Sequence, residues 1–169
     1  AGCQEGGHRV FRVLFVCTGN ICRSPTAEGV FRHLVDARGL SGEIEAESAG
    51  IGSWHVGEPP DRRSQQTARA RGVEINDQRA RAVHPDDFTT FDLILSMDTG
   101  HYRDLERLCP GGNSAKIRLF MDYAPETGIT DVPDPYYGDG DGFDRVFDMI
   151  ETASKGLLAE IEARRISDR

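Results

Sequence analysis

The segment VLFVCTGNICRSP, residues 13–25, carries two cysteines, an arginine and a serine directly after an apolar run. A thiolate is a strong nucleophile, and a guanidinium offers two parallel N–H donors to a tetrahedral oxyanion. A loop between Cys17 and Arg23 that folds around a small anion brings these groups together. The amides of Thr18, Gly19, Asn20, Ile21 and Cys22 can then point inward, beside the positive end of a following helix. Gly19 permits close backbone approach, and Asn20 is among the few residues that tolerate left-handed geometry. The chemistry that fits is attack of Cys17 on a phosphate monoester, with Arg23 following the equatorial oxygens into an in-line transition state. Ser24 can donate its hydroxyl to the thiolate and make it a better leaving group. No Gly-Lys-Ser/Thr follows, so this is not the nucleotide-binding loop of NTPases. A buried cysteine at a strand end is also ordinary packing. The composite of apolar strand, Cys-x5-Arg-Ser and a proline at the helix start makes the catalytic reading the specific one.

An alkoxide or phenolate leaving group needs a proton, supplied by an acid on a loop that reaches the cradle. Asp131, Asp134, Asp139 and Asp141 all qualify by composition. Asp134 stands in DPYYGD between Pro133 and Pro135, and Pro135 restricts it to extended backbone. A solvated turn is an equal alternative for this segment. The acidic stretch DGDGFD does not match a calcium loop, because aligning its glycine puts Tyr137 at the first ligand position and Asp148 at the last.

Positioning these groups requires a buried strand, a turn and a helix. Residues 10–16 form a near-continuous apolar run, as a strand buried on both faces does. Ser24 is a candidate cap and Pro25 suits the first helical turn, with Val30, Phe31, Leu34 and Val35 as the apolar stripe before Gly39. Ile44, Ala46 and Ser48 alternate as a second strand, and Asp61 to Arg71 reads as a polar helix. A third strand over 92–97, a helix over 100–108, a fourth strand over 115–121 and a long last helix follow. Strands alternating with helices predict α/β architecture with a parallel, doubly wound sheet and helices on both faces. Ligands bind such sheets beyond the carboxyl ends of their strands, where Cys17 to Ser24 falls.

The 169 residues suit one domain, expected over residues 9–165 after a polar, Gly-rich, disordered tail over residues 1–8. A net charge of −8 disfavours broad nucleic-acid or anionic-membrane binding. No apolar run reaches spanning length and no signal-like segment opens the chain, so a cytoplasmic protein without membrane insertion is expected. The spacing of Cys3, Cys17, Cys22 and Cys109 suggests neither a disulfide framework nor a zinc site.

VLFVCTGNICRSPTAE and DPYYGD, at opposite ends of a chain of this size, together with SAGIGSWHVGEPPD and LILSMD, resemble the low-molecular-weight protein tyrosine phosphatases. The likeness covers residues 9–165. It implies strand order 2-1-3-4 and a two-step phosphatase reaction without metal or other cofactor. Cys17 would be the nucleophile, Arg23 the phosphate clamp, Ser24 the thiolate partner and Asp134 the general acid. Asn20 would hold the strained turn with support from Ser48, and Trp54, Tyr136 and Tyr137 would wall the pocket. The partner implied is a phosphotyrosine-containing protein, with inorganic phosphate or vanadate as inhibitor. One departure stands out. Where bacterial-type members carry His-Arg-Ala-Arg, this chain has Gln78-Arg79-Ala80-Arg81, which replaces a titrating loop support by one that does not titrate.

Two further readings concern the cysteines. Cys22 is placed to capture an oxidised Cys17 as a disulfide, against the alternative of a packing residue beside Ile21. A thioredoxin-coupled arsenate reductase shares the cradle but needs a downstream cysteine pair, and Cys109 is the sole cysteine after the loop. A non-catalytic phosphotyrosine-binding module would keep Arg23 yet tolerate loss of Cys17 or Asp134, and both are present.

Overall fold

The computed structural model describes residues 9–111, 116–135 and 141–167. The expected tail over residues 1–8, together with Tyr136, Tyr137 and Asp139, lies outside the described residues. Strand β1 is Phe11–Cys17, followed by helix α1 at Arg23–Ala37, strand β2 at Ile44–Gly50 and helix α2 at Arg62–Ala70. A one-turn helix α3 at Asp87–Thr90 precedes strand β3 at Leu93–Ser96. Helix α4 at Thr99–Leu108, strand β4 at Ile117–Leu119 and helix α5 at Asp141–Ser167 complete the chain.

The sheet is parallel with order β2-β1-β3-β4, as the resemblance implied. Strand β1 is central and its residues Val13 to Val16 are fully buried, which is why its sequence lacks the polar alternation of a half-exposed strand. Val13 and Phe15 face α1 and α5, with Phe15 edge-on to the rings of Phe31 and Phe120. Leu14 and Val16 face the opposite layer, where Phe88 of α3 and Leu105 of α4 pack. Helices therefore cover both faces. The stripe of Phe143, Val146, Phe147, Ile150, Leu157, Leu158 and Ile161 on α5 is buried as its periodicity requires.

Two local expectations change. Ser24 does not cap α1: the helix starts at Arg23, and Cys22 at its N-cap makes no side-chain bond to it. The Ser24 hydroxyl is turned toward the nucleophile loop instead. Residues Phe120 and Met121, expected in the fourth strand, belong to a short 3-10 turn at Phe120–Tyr123 that follows β4. The register pairs Cys17 with Gly50 across β1 and β2, while the Met97 amide donates to Val16 just past β3. Three strand ends thus meet at one edge of the sheet.

Candidate active site

Beyond that edge lies a cavity of about 370 Å³ lined by Cys17, Thr18, Gly19, Ile21, Cys22, Arg23, Trp54, His55 and Asp134. The segment singled out in the sequence forms its floor. Cys17 is 2% exposed, and its Sγ lies 3.0 Å from the Ser24 hydroxyl and accepts from the Ser24 backbone N–H at 3.4 Å. The same hydroxyl can turn to the Ala49 carbonyl at 3.4 Å. Its proton therefore has one orientation suited to a thiolate and another suited to a thiol that donates to it.

Asn20 takes the left-handed conformation that the loop demands, with φ of 60°. It is buried, and three bonds hold it there. Its Nδ2 donates to the hydroxyls of Ser24 at 2.8 Å and Ser48 at 2.9 Å, and its Oδ1 accepts from the Arg81 amide at 2.9 Å. Behind it, the Ser48 hydroxyl donates to Gln78 Oε1 at 3.4 Å, and Gln78 Nε2 donates to the Pro25 carbonyl at 3.0 Å. Gln78 thus links β2 to the first turn of α1 without a titrating group. Gly50 is needed at the end of β2, since a Cβ there would lie 2.8 Å from the Thr18 carbonyl oxygen.

Arg23 is 3% exposed. Its Nη1 donates to Asp98 Oδ2 at 3.1 Å and to the Val132 carbonyl at 3.0 Å, and its Nη2 donates to Thr18 Oγ1 at 3.2 Å. These contacts tie down one edge of the fork. The Nε–H and the second Nη2–H form the edge available to two oxygens of an anion. Val132, anchored by its amide to the Met97 carbonyl at 2.8 Å, brings the following loop over the cavity. Two residues on, the Asp134 carboxylate stands 3.6 Å from Arg23 Nη2.

Of the other acid candidates, Asp131 accepts from the Thr99 amide at 3.0 Å and its hydroxyl at 3.3 Å, which commits it to the start of α4. Asp141 opens α5. Asp134 alone among the described candidates lines the cavity. Trp54 forms part of the rim and is 73% exposed. Its indole lies over Gly52, where a Cβ would meet the ring at 1.6 Å.

Cys22 is buried, and burial, then the Asp61 carboxylate, push its thiol up to about 12. Its position beside Ile21, Ala80 and Phe143 is that of a packing residue, while it also lines the cavity next to Cys17.

Sequence reasoning missed Asp98, His55, His101 and the Arg81 amide. Asp98 had a signal, since it lies two residues past the third strand at the ligand edge. The Arg81 amide had none, because a backbone donor leaves no mark on residue type.

The family model for low molecular weight phosphotyrosine protein phosphatase matches residues 12–166. A low molecular weight protein-tyrosine-phosphatase of Streptomyces coelicolor is 48% identical over 154 residues, covering 89% of this chain and 93% of that protein. The crystal structure of YfkJ from Bacillus subtilis superposes with a TM-score of 0.89 at 41% identity, covering 94% of this chain and 99% of YfkJ. A protein tyrosine phosphatase from Entamoeba histolytica, solved with Hepes in its active site, gives a TM-score of 0.88 at 37% identity over 92% of this chain and 99% of its own. With the Cys17–Arg23 loop at the sheet edge and these likenesses along nearly its whole length, the chain belongs to the low molecular weight phosphotyrosine protein phosphatase family.

Proposed function

We propose that the chain hydrolyses aryl phosphate monoesters, phosphotyrosine in a protein among them, through a phosphocysteine. The observation that carries this reading is the sharing of one cavity by the Cys17 thiol, the Arg23 fork and the Asp134 carboxyl. In the first step Cys17 Sγ attacks phosphorus, the S–P bond forms and the P–O bond to the aryl group breaks. Asp134 gives its proton to the leaving oxygen. Arg23 and the loop amides hold the three equatorial oxygens throughout. In the second step the Asp134 carboxylate takes a proton from water, whose oxygen attacks phosphorus as the S–P bond breaks. Ser24 receives the thiolate, and inorganic phosphate leaves. No step is assigned to a metal or other cofactor.

Trp54 supplies an apolar wall for the aryl ring, and on the strength of the resemblance Tyr136 and Tyr137 are assigned to the pocket wall as well. Inorganic phosphate and vanadate would occupy the same cradle as inhibitors. Among the described residues no helix is long and apolar enough to cross a membrane. A cytoplasmic location and oxidation of Cys17 with capture by Cys22 belong to the same proposal. Turnover of phenyl phosphate and of a phosphotyrosine peptide in the presence of EDTA tests the reading. Activity that persists in the parent and vanishes in Cys17→Ser supports it, and activity that EDTA abolishes contradicts it.

A further inference from the structure

A buried histidine that the proposed reaction does not use stands beside the contacts of Arg23. His101, in the first turn of α4, is 5% exposed. Its Nε2 lies 2.7 Å from Thr18 Oγ1, the oxygen that also accepts from Arg23 Nη2. Its backbone N–H donates to Asp98 Oδ1 at 2.8 Å, while the other oxygen of that carboxylate accepts from Arg23 Nη1. Arg23, Thr18, His101 and Asp98 therefore close a ring of contacts beneath the cradle. The His101 Nδ1 is buried, has no hydrogen-bond partner among the described residues and stands 3.3 Å from Asp98 Oδ1.

This arrangement selects a proton state. Nδ1 faces the Asp98 carboxylate, which favours the ring proton there and leaves Nε2 bare to accept the hydroxyl proton of Thr18. The charged groups around the ring are Arg23 from α1, Asp98 at the head of α4, Asp104 within α4 and Asp134 from the loop over the cavity. Burial, then Arg23, hold the imidazole below its usual range and so favour the neutral ring. Protonation would reverse the Thr18 bond. The Thr18 oxygen would then accept from two cations, its own proton would swing away, and the imidazolium would compete with Arg23 for Asp98.

We propose that His101 is a positioning residue that holds the Arg23 guanidinium in line with the anion cradle, acting through Thr18 and Asp98. The inference rests on Arg23 being the phosphate clamp. It makes clamp strength depend on acidification through a group that never touches substrate.

The test is calorimetric binding of sulfate, a tetrahedral dianion that stays fully ionised down to about pH 4, so that a histidine held below its usual range titrates inside the window. A Cys17→Ser background removes any thiolate charge. His101→Ala weakens sulfate binding about tenfold at pH 7, the scale of one link to a charged group. His101→Gln, which keeps a polar atom near Nε2, stays within about threefold and loses the fall in affinity that the His101 form shows on acidification. Thr18→Val weakens binding as His101→Ala does, and combining the two adds nothing further. Full sulfate affinity in a folded His101→Ala, additive losses with Thr18→Val, or an unchanged pH profile in His101→Gln each overturns the proposal. If His101→Ala does not fold, the His101→Gln profile alone decides. Arg23→Ala keeps the two claims apart: sulfate binding that survives it removes the clamp reading itself, whereas binding lost there but intact in His101→Ala removes only the role of His101.

Discussion

The Cys17 sulfur and the Ser24 hydroxyl are 3.0 Å apart, and Asn20 Nδ2 donates to that same hydroxyl from 2.8 Å. With one donor fixed on its oxygen, the Ser24 proton has two outlets, Cys17 Sγ and the Ala49 carbonyl. A sulfur that gains negative charge draws that proton toward itself. The contact thus strengthens when thiolate is the leaving group. Ser24→Ala is expected to slow breakdown of the phosphocysteine about 10- to 100-fold, the worth of one hydrogen bond to a charged group. Formation of the intermediate is affected less. Pre-steady-state measurement with a nitrophenyl ester checks this: a burst of nitrophenolate followed by slow turnover is expected, and equal slowing of both phases contradicts it.

Asp134 lines the cavity and faces Arg23, whereas Asp131 is bound to the start of α4. On the proposed mechanism, Asp134→Asn removes the proton donor while leaving Arg23 in place. Phenyl phosphate, which needs a proton on its leaving oxygen, is expected to lose about 10²- to 10⁴-fold in kcat/KM. A nitrophenyl ester loses less. Comparing the two esters in one variant checks the assignment, and equal losses would move the acid role away from Asp134.

Burial of Cys22 has a consequence for oxidation. With its thiol pushed up to about 12, only about one molecule in 10⁵ carries the Cys22 thiolate at pH 7. Capture of a Cys17 sulfenic acid by that thiolate is therefore slow at neutral pH and speeds about tenfold per pH unit on the alkaline side. The share of peroxide-treated activity that dithiothreitol recovers is expected to rise with pH in the parent. Cys22→Ser is expected to keep most activity and to lose this recovery. Equal recovery in both proteins would leave Cys22 as packing alone.

Asn20 combines a left-handed backbone with three buried side-chain hydrogen bonds. Asn20→Ala is expected to destabilise the fold by about 2–4 kcal/mol, from left-handed strain and buried partners left unpaired. Urea unfolding measures this. Asn20→Gly relieves the backbone strain but not the lost bonds, so it is expected to fall between the parent and Asn20→Ala.

Strand β1, helix α1 and the phosphate loop were legible because their signals are local: an apolar run, then residues of restricted backbone choice, then a helical stripe. The strand order came from the resemblance, since alternation of elements predicts parallel pairing but not which neighbours pair. Of the two roles the sequence offers Ser24, cap and thiolate partner, the structure takes the second for a definite reason. Serine at a helix start has two outlets for its hydroxyl, and tertiary contact with Cys17 and Asn20 won over the backbone. Helix α3 is one turn long, too short to show a period. His101 escaped because a lone histidine in an amphipathic helix carries no spacing signal. Its partner Thr18, and Arg23 beyond it, are brought near only by the packing of α4 against β3 and β4.

The central claim is a covalent phosphoryl group on Cys17. Rapid acid-free quenching during turnover of a phosphotyrosine peptide, followed by mass spectrometry of the peptide that contains Cys17, tests it most directly. A phosphoryl group on Cys17, more abundant in Ser24→Ala and absent in Cys17→Ser, is the expected result. Turnover with no phosphorylated enzyme, or with the group on a different residue, would contradict the account.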